Sequence, residues 1–312
     1  RVEWFDARLK GWQAAIDKAI SKNENWIVSR SADDRAMLVW TGSSDNPGSY
    51  YLFKPNEGRM MIVGRINERL RPADLTPTRY ITYRARDGLD IPAYVTFPKG
   101  RAQNSLPLVI LPHGGPYDVR DTPGFNPEVQ MLANRGYVVL QPNFRGSGGY
   151  GKEFYTKGEG QWGRAMQDDV ADATKWAVAK GIADGGKVCI AGASYGGYST
   201  LMGLVRHGEL YRCGVAWVAA TDPRLLFEFD WVNDIPEEHR QYSLPILIGD
   251  LKSDAAMLAE SAPVEQAAKI KAPLLLAFGG QDRRVPLEHG RRMREAMKAA
   301  GNDPEWILYD AE

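Results

Sequence analysis

The chain has 312 residues, enough for about two domains of ordinary size, and its 39 Lys and Arg balance 39 Asp and Glu. That neutrality removes the electrostatic pull toward nucleic acid or an anionic membrane surface, and no run of about 18 apolar residues is present to cross a bilayer. A content of 44% hydrophobic and 25% charged residues is that of a globular chain; the two cysteines, Cys189 and Cys213, argue against a disulfide framework or a cysteine-cluster zinc site, and the four histidines contain no His-Glu-x-x-His pair, so no metal or other cofactor is expected.

The chain opens at Arg1 on a charged stretch without the pattern of a signal peptide, which leaves the compartment open. Trp4, Phe5, Leu9, Trp12, Ala15, Ile16 and Ile20 recur at nearly helical spacing, so residues 4–20 read as an amphipathic helix. Four β-like runs follow, Trp26–Arg30, Met37–Thr41, Ser49–Lys54 and Met60–Gly64, separated by turn residues such as Asp45-Asn46-Pro47-Gly48. Four short antiparallel strands are what one propeller blade contains, or equally an isolated meander; the unit does not repeat within the chain. Residues 72–77 read as a linker, which divides the chain into residues 1–75 and 76–312.

Beyond it, Tyr80–Arg86 and Ile91–Phe97 flank Asp87-Gly88, a hairpin signal. Apolar runs then alternate with helical stretches. The runs are Leu108–Leu111, Tyr137–Leu140, Val188–Ala191, Val215–Val218, Leu274–Phe278 and Trp306–Tyr309; the helices are Glu128–Arg135, Gln167–Lys180, Tyr198–Arg206 and Leu287–Ala300. Continuous apolar strands alternating with helices predict an α/β fold, a mostly parallel sheet covered by helices on both faces, with its site at the carboxyl ends of the strands.

The segment Gly192-Ala193-Ser194-Tyr195-Gly196-Gly197 lies between the run ending at Ala191 and the helix beginning near Tyr198. Gly-x-Ser-x-Gly in that position is the nucleophile elbow of the α/β-hydrolase fold: a turn so tight that neighbouring side chains would collide, hence the flanking glycines. A serine hydroxyl needs a base, and the base an orienting acid, in the chain order Ser, Asp or Glu, His. Asp282, after the run Leu274–Phe278, is the candidate acid, with Asp222 as its rival. The base is expected after the last strand, whereas His113, His207, His239 and His289 all precede it; the expectation is a histidine within a few residues after Glu312, without which this stretch alone would be inactive. Pro112-His113-Gly114-Gly115-Pro116 ends another strand, and its backbone N–H groups, with that of Tyr195, are the expected oxyanion donors. Gly146-Ser147-Gly148-Gly149-Tyr150-Gly151 matches a dinucleotide-binding fingerprint, but no clean apolar helix follows it, and it reads as a structural loop near the site. Trp217, Phe227, Phe229 and Trp231 are candidates for lining a substrate pocket.

Together these motifs resemble the prolyl oligopeptidase family of serine peptidases: Leu111–Pro116, Asn143–Gly151, Gly192–Gly197 and Gly280-Gln281-Asp282-Arg283-Arg284-Val285-Pro286 carry the resemblance over residues 79–312. The preceding four-strand segment is similar to the last blade of that family's propeller. His113 in its Gly-Gly-Pro context is closer to the acylaminoacyl-peptidase and dipeptidyl-peptidase-like branches. The resemblance implies hydrolysis of short peptides through an acyl-enzyme on Ser194, with Asp282 in the triad. Tyr195, His113 and Gly114 fall at the oxyanion hole, and Arg284, Val285 and Tyr195 at the substrate. The expected partner is a peptide, with neither nucleic acid nor membrane, and with homo-oligomerisation left open. The alternatives are an esterase or lipase on the same fold, or a hydrolase-fold interaction module without catalysis.

Overall fold

The computed structural model describes residues 3–228 and 237–311. Phe229 and Trp231, and the side chain of His239, lie outside the described residues. The chain divides into two compact units, one of residues 1–79, 96–101 and 122–137, the other of residues 80–95, 102–121 and 138–312.

In the first unit, α1 (Ala7–Ala19) begins where Asp6 Oδ1 accepts from the N–H groups of Arg8 and Leu9 at 2.8 and 3.0 Å. The strands β1 (Glu24–Arg30), β2 (Met37–Ser43), β3 (Asn46–Lys54) and β4 (Arg59–Arg65) form an antiparallel sheet in sequence order. Leu9 and Ile16 of α1 pack on Met37, Val39 and Phe53 of the sheet, which is why the helical spacing and the strand alternation agree. The turn between β2 and β3 is shorter than the sequence suggests. Ser43 pairs with Asn46, leaving only Ser44-Asp45 between them, because Asn46-Pro47-Gly48 is absorbed into β3. Helix α2 (Pro127–Asn134) belongs to this unit too. The Gln130 amide, buried there, donates to the carbonyls of Ser44 and Thr76 and accepts from Thr76 N–H.

The second unit holds an eight-stranded sheet of order β12-β11-β10-β9-β7-β8-β6-β5. Its strands are β5 (Thr78–Arg84), β6 (Asp90–Thr96), β7 (Leu106–Ile110), β8 (Val138–Pro142), β9 (Ala183–Ala193), β10 (Cys213–Trp217), β11 (Leu274–Gly279) and β12 (Glu305–Tyr309). From β8 through β7, β9, β10 and β11 to β12 every pairing is parallel, and the six apolar runs supply these strands. The helices are α3 (Lys152–Thr156), α4 (Ala165–Ala179), α5 (Tyr195–Arg206), α6 (Leu244–Leu247), α7 (Ala255–Glu260) and α8 (Leu287–Ala299). Helix α5 packs on β9 and β10, α4 on β7 to β9, and α8 on β11. Among the described residues no helix is long and apolar enough to cross a membrane.

Cys189 and Cys213, directly paired across β9 and β10, are joined in a disulfide. Composition excluded a framework of bridges; it gave no reason to pair these two, because only the strand register brings them within reach. The bond closes a loop of 24 residues, for which loop-closure entropy predicts a stabilisation of about 3–4 kcal/mol. A non-reducing peptide map should contain the linked Cys189 and Cys213 peptides, and the Cys189→Ser/Cys213→Ser variant should unfold at lower urea by an amount of that order. Two free thiols in the untreated protein would refute the link.

Candidate active site

Strand β9 ends at Ala193 and α5 begins at Tyr195, so the whole reversal falls on Ser194, whose backbone stands at φ 57°, ψ −120°. A positive φ is unfavourable for a residue with a Cβ and persists only where the surroundings impose it. Here Ser194 N–H donates to Trp217 O at the end of β10 (3.1 Å), and Ser194 O accepts from Tyr198 N–H (3.0 Å). A Cβ on Gly192 would come within 2.6 Å of the Gly196 carbonyl group, and one on Gly196 would overlap the Pro112 carbonyl oxygen. Ser194 caps no helical N–H with its side chain, so the hydroxyl is left for other chemistry. Tyr195 N–H, in the first turn of α5, has no acceptor among the described residues.

The loop after β7 runs beside this elbow. A Cβ on Gly114 would sit 3.6 Å from Ser194 Cβ, so the Gly114 backbone lies against the serine. The imidazole of His113 does not face Ser194. It is buried and stacked on Phe144 (centroids 4.3 Å apart), with Nδ1 2.6 Å from Gly114 O and Nε2 2.8 Å from Ser147 Oγ. The Gly114 carbonyl fixes the proton on Nδ1, while Ser147 Oγ, which donates to Phe144 O at 2.6 Å, shares its one proton between that carbonyl and Nε2. With the Gly114 carbonyl turned toward the ring, planarity turns the Gly115 N–H of the same peptide unit to the opposite side. Gly115, not Gly114, lines the cavity at Ser194. His113 thus shapes the loop through its side chain.

The glycine-rich loop 146–151 braces this loop. Gly148 N–H donates to Val119 O (3.1 Å), and a Cβ on Gly148 would strike the Asp118 backbone, which accounts for the glycine without a nucleotide. Arg145, at its start, is buried and donates to both Asp169 oxygens (2.8 and 2.7 Å) and to Asp87 Oδ2 (2.8 Å).

Asp282 lies just beyond β11. Its Oδ1 accepts from the N–H groups of Arg284 (2.8 Å) and Val285 (3.0 Å), which fixes the carboxylate and leaves Oδ2 without a partner among the described residues. Gly280 N–H donates to Tyr309 O (2.8 Å), so the chain leaving β12 emerges beside the Asp282 loop. The rival, Asp222, is buried and its two oxygens take a bidentate pair from Arg224 at 2.8 and 2.7 Å. Of the histidines, His207 pairs with Asp168 (3.2 Å), and His289, fully buried, accepts at Nδ1 from Thr221 N–H (3.1 Å).

A cavity of about 390 Å³ opens at Ser194. Its walls include Tyr117, Trp162, Leu226, Leu247 and Val285, and Arg284 stands at its exposed rim. Of the aromatic candidates described, neither Trp217 nor Phe227 lines it: Trp217 is tied into β10 opposite Ala193 and Ala277, and it is Leu226 that faces the cavity. Sequence reasoning passed over Tyr117, Trp162 and Leu244–Ile248. Tyr117 follows directly on the His-Gly-Gly-Pro motif, which was a usable signal; nothing local marked the others.

An α/β-hydrolase sheet with a strained serine at the elbow, a glycine loop against it and a carboxylate after the next strand but one defines a serine-hydrolase-type site. The model of the prolyl oligopeptidase family matches residues 123–312, and the chain belongs to that family. It is 33% identical to dipeptidyl aminopeptidase BIII of Pseudoxanthomonas mexicana over 306 residues, covering 95% of this chain and 44% of that protein. Against the acylamino-acid-releasing enzyme of Sus scrofa it is 32% identical over 228 residues, 71% of this chain and 30% of the relative. It superposes on the solved structure of a Mycobacterium tuberculosis puromycin-hydrolyzing peptidase with a TM-score of 0.76 at 26% identity, covering 88% of this chain and 42% of that one. The chain therefore spans less than half the length of these relatives.

Burial pushes the imidazoles of His113 and His289 down to about 4 from an ordinary 6.5. Both are neutral in the folded chain, whereas the unfolded chain takes up their protons near 6.5. Unfolding therefore binds protons between those values, and stability should fall as pH is lowered from about 6.5 toward 4. Urea midpoints across this range should show that slope, and His113→Asn should flatten it by roughly one proton. An unchanged slope in the variant would mean that His113 is protonated in the fold.

Proposed function

We propose that this chain carries the catalytic machinery of a serine peptidase that hydrolyses short peptides through an acyl-enzyme on Ser194. The reading rests chiefly on Ser194 being held in a positive-φ turn with the Gly114 backbone against it. In this account Ser194 Oγ attacks the scissile carbonyl, and the developing oxyanion is held by Tyr195 N–H and the loop His113-Gly114-Gly115, where the Gly115 N–H is the better placed donor. Asp282 orients the base through its open Oδ2. Among the described side chains, those of His113, His207 and His289 are engaged elsewhere and none of them serves as that base. Arg284 and Val285, whose N–H groups anchor Asp282, present their side chains to the substrate at the cavity. Residues 76–312 form the catalytic domain, and residues 1–75 the blade-like part.

Membership of a peptidase family, with relatives named as a dipeptidyl aminopeptidase and an acylamino-acid-releasing enzyme, favours peptides over simple esters and points to action near a peptide's amino end. With the protein expressed from its full reading frame, Ser194→Ala and Asp282→Asn should each lower kcat on peptide p-nitroanilides by about 10⁴-fold or more while leaving the thermal midpoint nearly unchanged. Asp222→Asn should act instead on stability, because it removes the buried carboxylate charge that pairs with the half-buried Arg224 guanidinium. Full turnover by either of the first two variants would overturn the assignment.

A further inference from the structure

We propose that Ser147, the serine inside the glycine-rich loop, is a positioning residue for the oxyanion hole: through the His113 imidazole it holds the Gly114–Gly115 peptide with the Gly115 N–H turned toward the cavity at Ser194. The proposal rests on Ser194 being the nucleophile and on Gly115 supplying an oxyanion donor. It gives the fingerprint-like run Gly146–Gly151 a role in the chemistry without a nucleotide.

Three consecutive residues of that run meet the loop that lies against Ser194, each in a different way. Gly146 packs against the Tyr117 ring, where a Cβ would come within 3.2 Å of it. Gly148 sets its backbone on Asp118 and donates its N–H to Val119 O (3.1 Å). Between them the fully buried Ser147 supplies the side chain, and its Oγ lies 2.8 Å from His113 Nε2. The backbone that carries Ser147 is itself fixed. Ser147 N–H donates to Phe144 O (3.1 Å) and Gly146 N–H to Phe154 O (3.0 Å), and Arg145 is held by Asp169 and Asp87.

Proton counting gives Ser147 its task. Burial pushes the His113 imidazole down to about 4, so at neutral pH the ring carries one proton. The Gly114 carbonyl, 2.6 Å away and able only to accept, places that proton on Nδ1. Nε2 is then a buried lone pair, and the donor beside it is Ser147. Phe144 O, the other acceptor for the Ser147 hydroxyl (2.6 Å), also takes the Ser147 N–H, so it keeps a donor when the hydroxyl proton turns to Nε2. A continuous chain results: Ser147 O–H to Nε2, Nδ1–H to Gly114 O and, across the same planar peptide, Gly115 N–H toward the cavity. Bonds at both ring nitrogens and the stack on Phe144 fix the imidazole plane. A carbonyl that accepts a hydrogen bond also makes the N–H of its own peptide a stronger donor. Without the Ser147 hydroxyl the ring holds an unpaired buried acceptor, turns to relieve it and loosens its hold on the peptide.

The test uses the full-length protein, with rates taken per site titrated to completion by a fluorophosphonate, so that misfolded protein is not counted. In Ser147→Ala, kcat on peptide p-nitroanilides should fall by about 10- to 100-fold while KM moves by less than about two-fold. A peptidyl trifluoromethyl ketone, whose bound form is a tetrahedral oxyanion, should bind more weakly by the same factor. A reduced-peptide-bond analogue, which presents no oxygen there, should bind as to the unsubstituted protein. His113→Leu, which fills the loop but lacks both ring nitrogens, should show the same pattern, and adding Ser147→Ala to it should cost less than about two-fold more. Unchanged kcat in either single variant, a loss carried by KM, or losses that multiply in the double variant would overturn the proposal. Labelling separates the failures: fluorophosphonate on Ser194 with kcat insensitive to Ser147 sinks only the positioning role, and absence of labelling at Ser194 sinks the nucleophile on which it rests.

Discussion

One strained residue organises the catalytic unit. Ser194 occupies a backbone conformation that costs about 1–3 kcal/mol for a residue bearing a Cβ, and it is imposed from two sides. Strand β10 fixes the serine's N–H, and the first turn of α5 fixes its carbonyl. The glycines at 192 and 196 are what allow the strand and helix to close so tightly, because a Cβ at either would meet backbone within contact distance. The consequence is chemical. The hydroxyl is lifted out of the secondary structure at the amino end of a helix, beside a backbone N–H that helix geometry leaves without a partner.

A strained serine needs surroundings that hold still. The loop against it has little regular structure and is stiffened by buried side chains. His113 stacks on Phe144 and bridges its own loop to Ser147, and Gly148 packs against Asp118. Arg145 pins the base of the bracing loop to Asp169 and Asp87. His113 thus works as a brace through its side chain. Its ring orients the Gly114 peptide. Asp282 is arranged on the same plan, with one carboxylate oxygen held by backbone N–H groups and the other without a partner among the described residues.

Much of this was legible in the sequence, for identifiable reasons. Parallel strands are buried on both faces and read as unbroken apolar runs, so all six could be found. The elbow and the Asp282 loop were marked by residues with few alternative uses at those positions. What was not legible depended on register or on distant segments. The two cysteines meet only because β9 and β10 pair with those residues opposite each other. The cavity wall at Leu244–Ile248 comes from a stretch with no motif, and Trp217 and Phe227, two of the aromatic residues favoured for the pocket, stand off it while Leu226, Tyr117 and Trp162 line it. Local pattern reports which element a residue belongs to, but not which neighbour the tertiary fold sets against it.

The central claim is that Ser194 Oγ, and no other nucleophile, becomes bonded to substrate. The most direct measurement is mass spectrometry of the full-length protein inactivated with a peptidyl phosphonate diphenyl ester carrying an apolar residue at the reactive position, followed by peptide mapping. The account predicts a single adduct on the peptide containing Gly192–Gly197, at the serine. An adduct elsewhere, or time-dependent inactivation with that peptide unmodified, would contradict it.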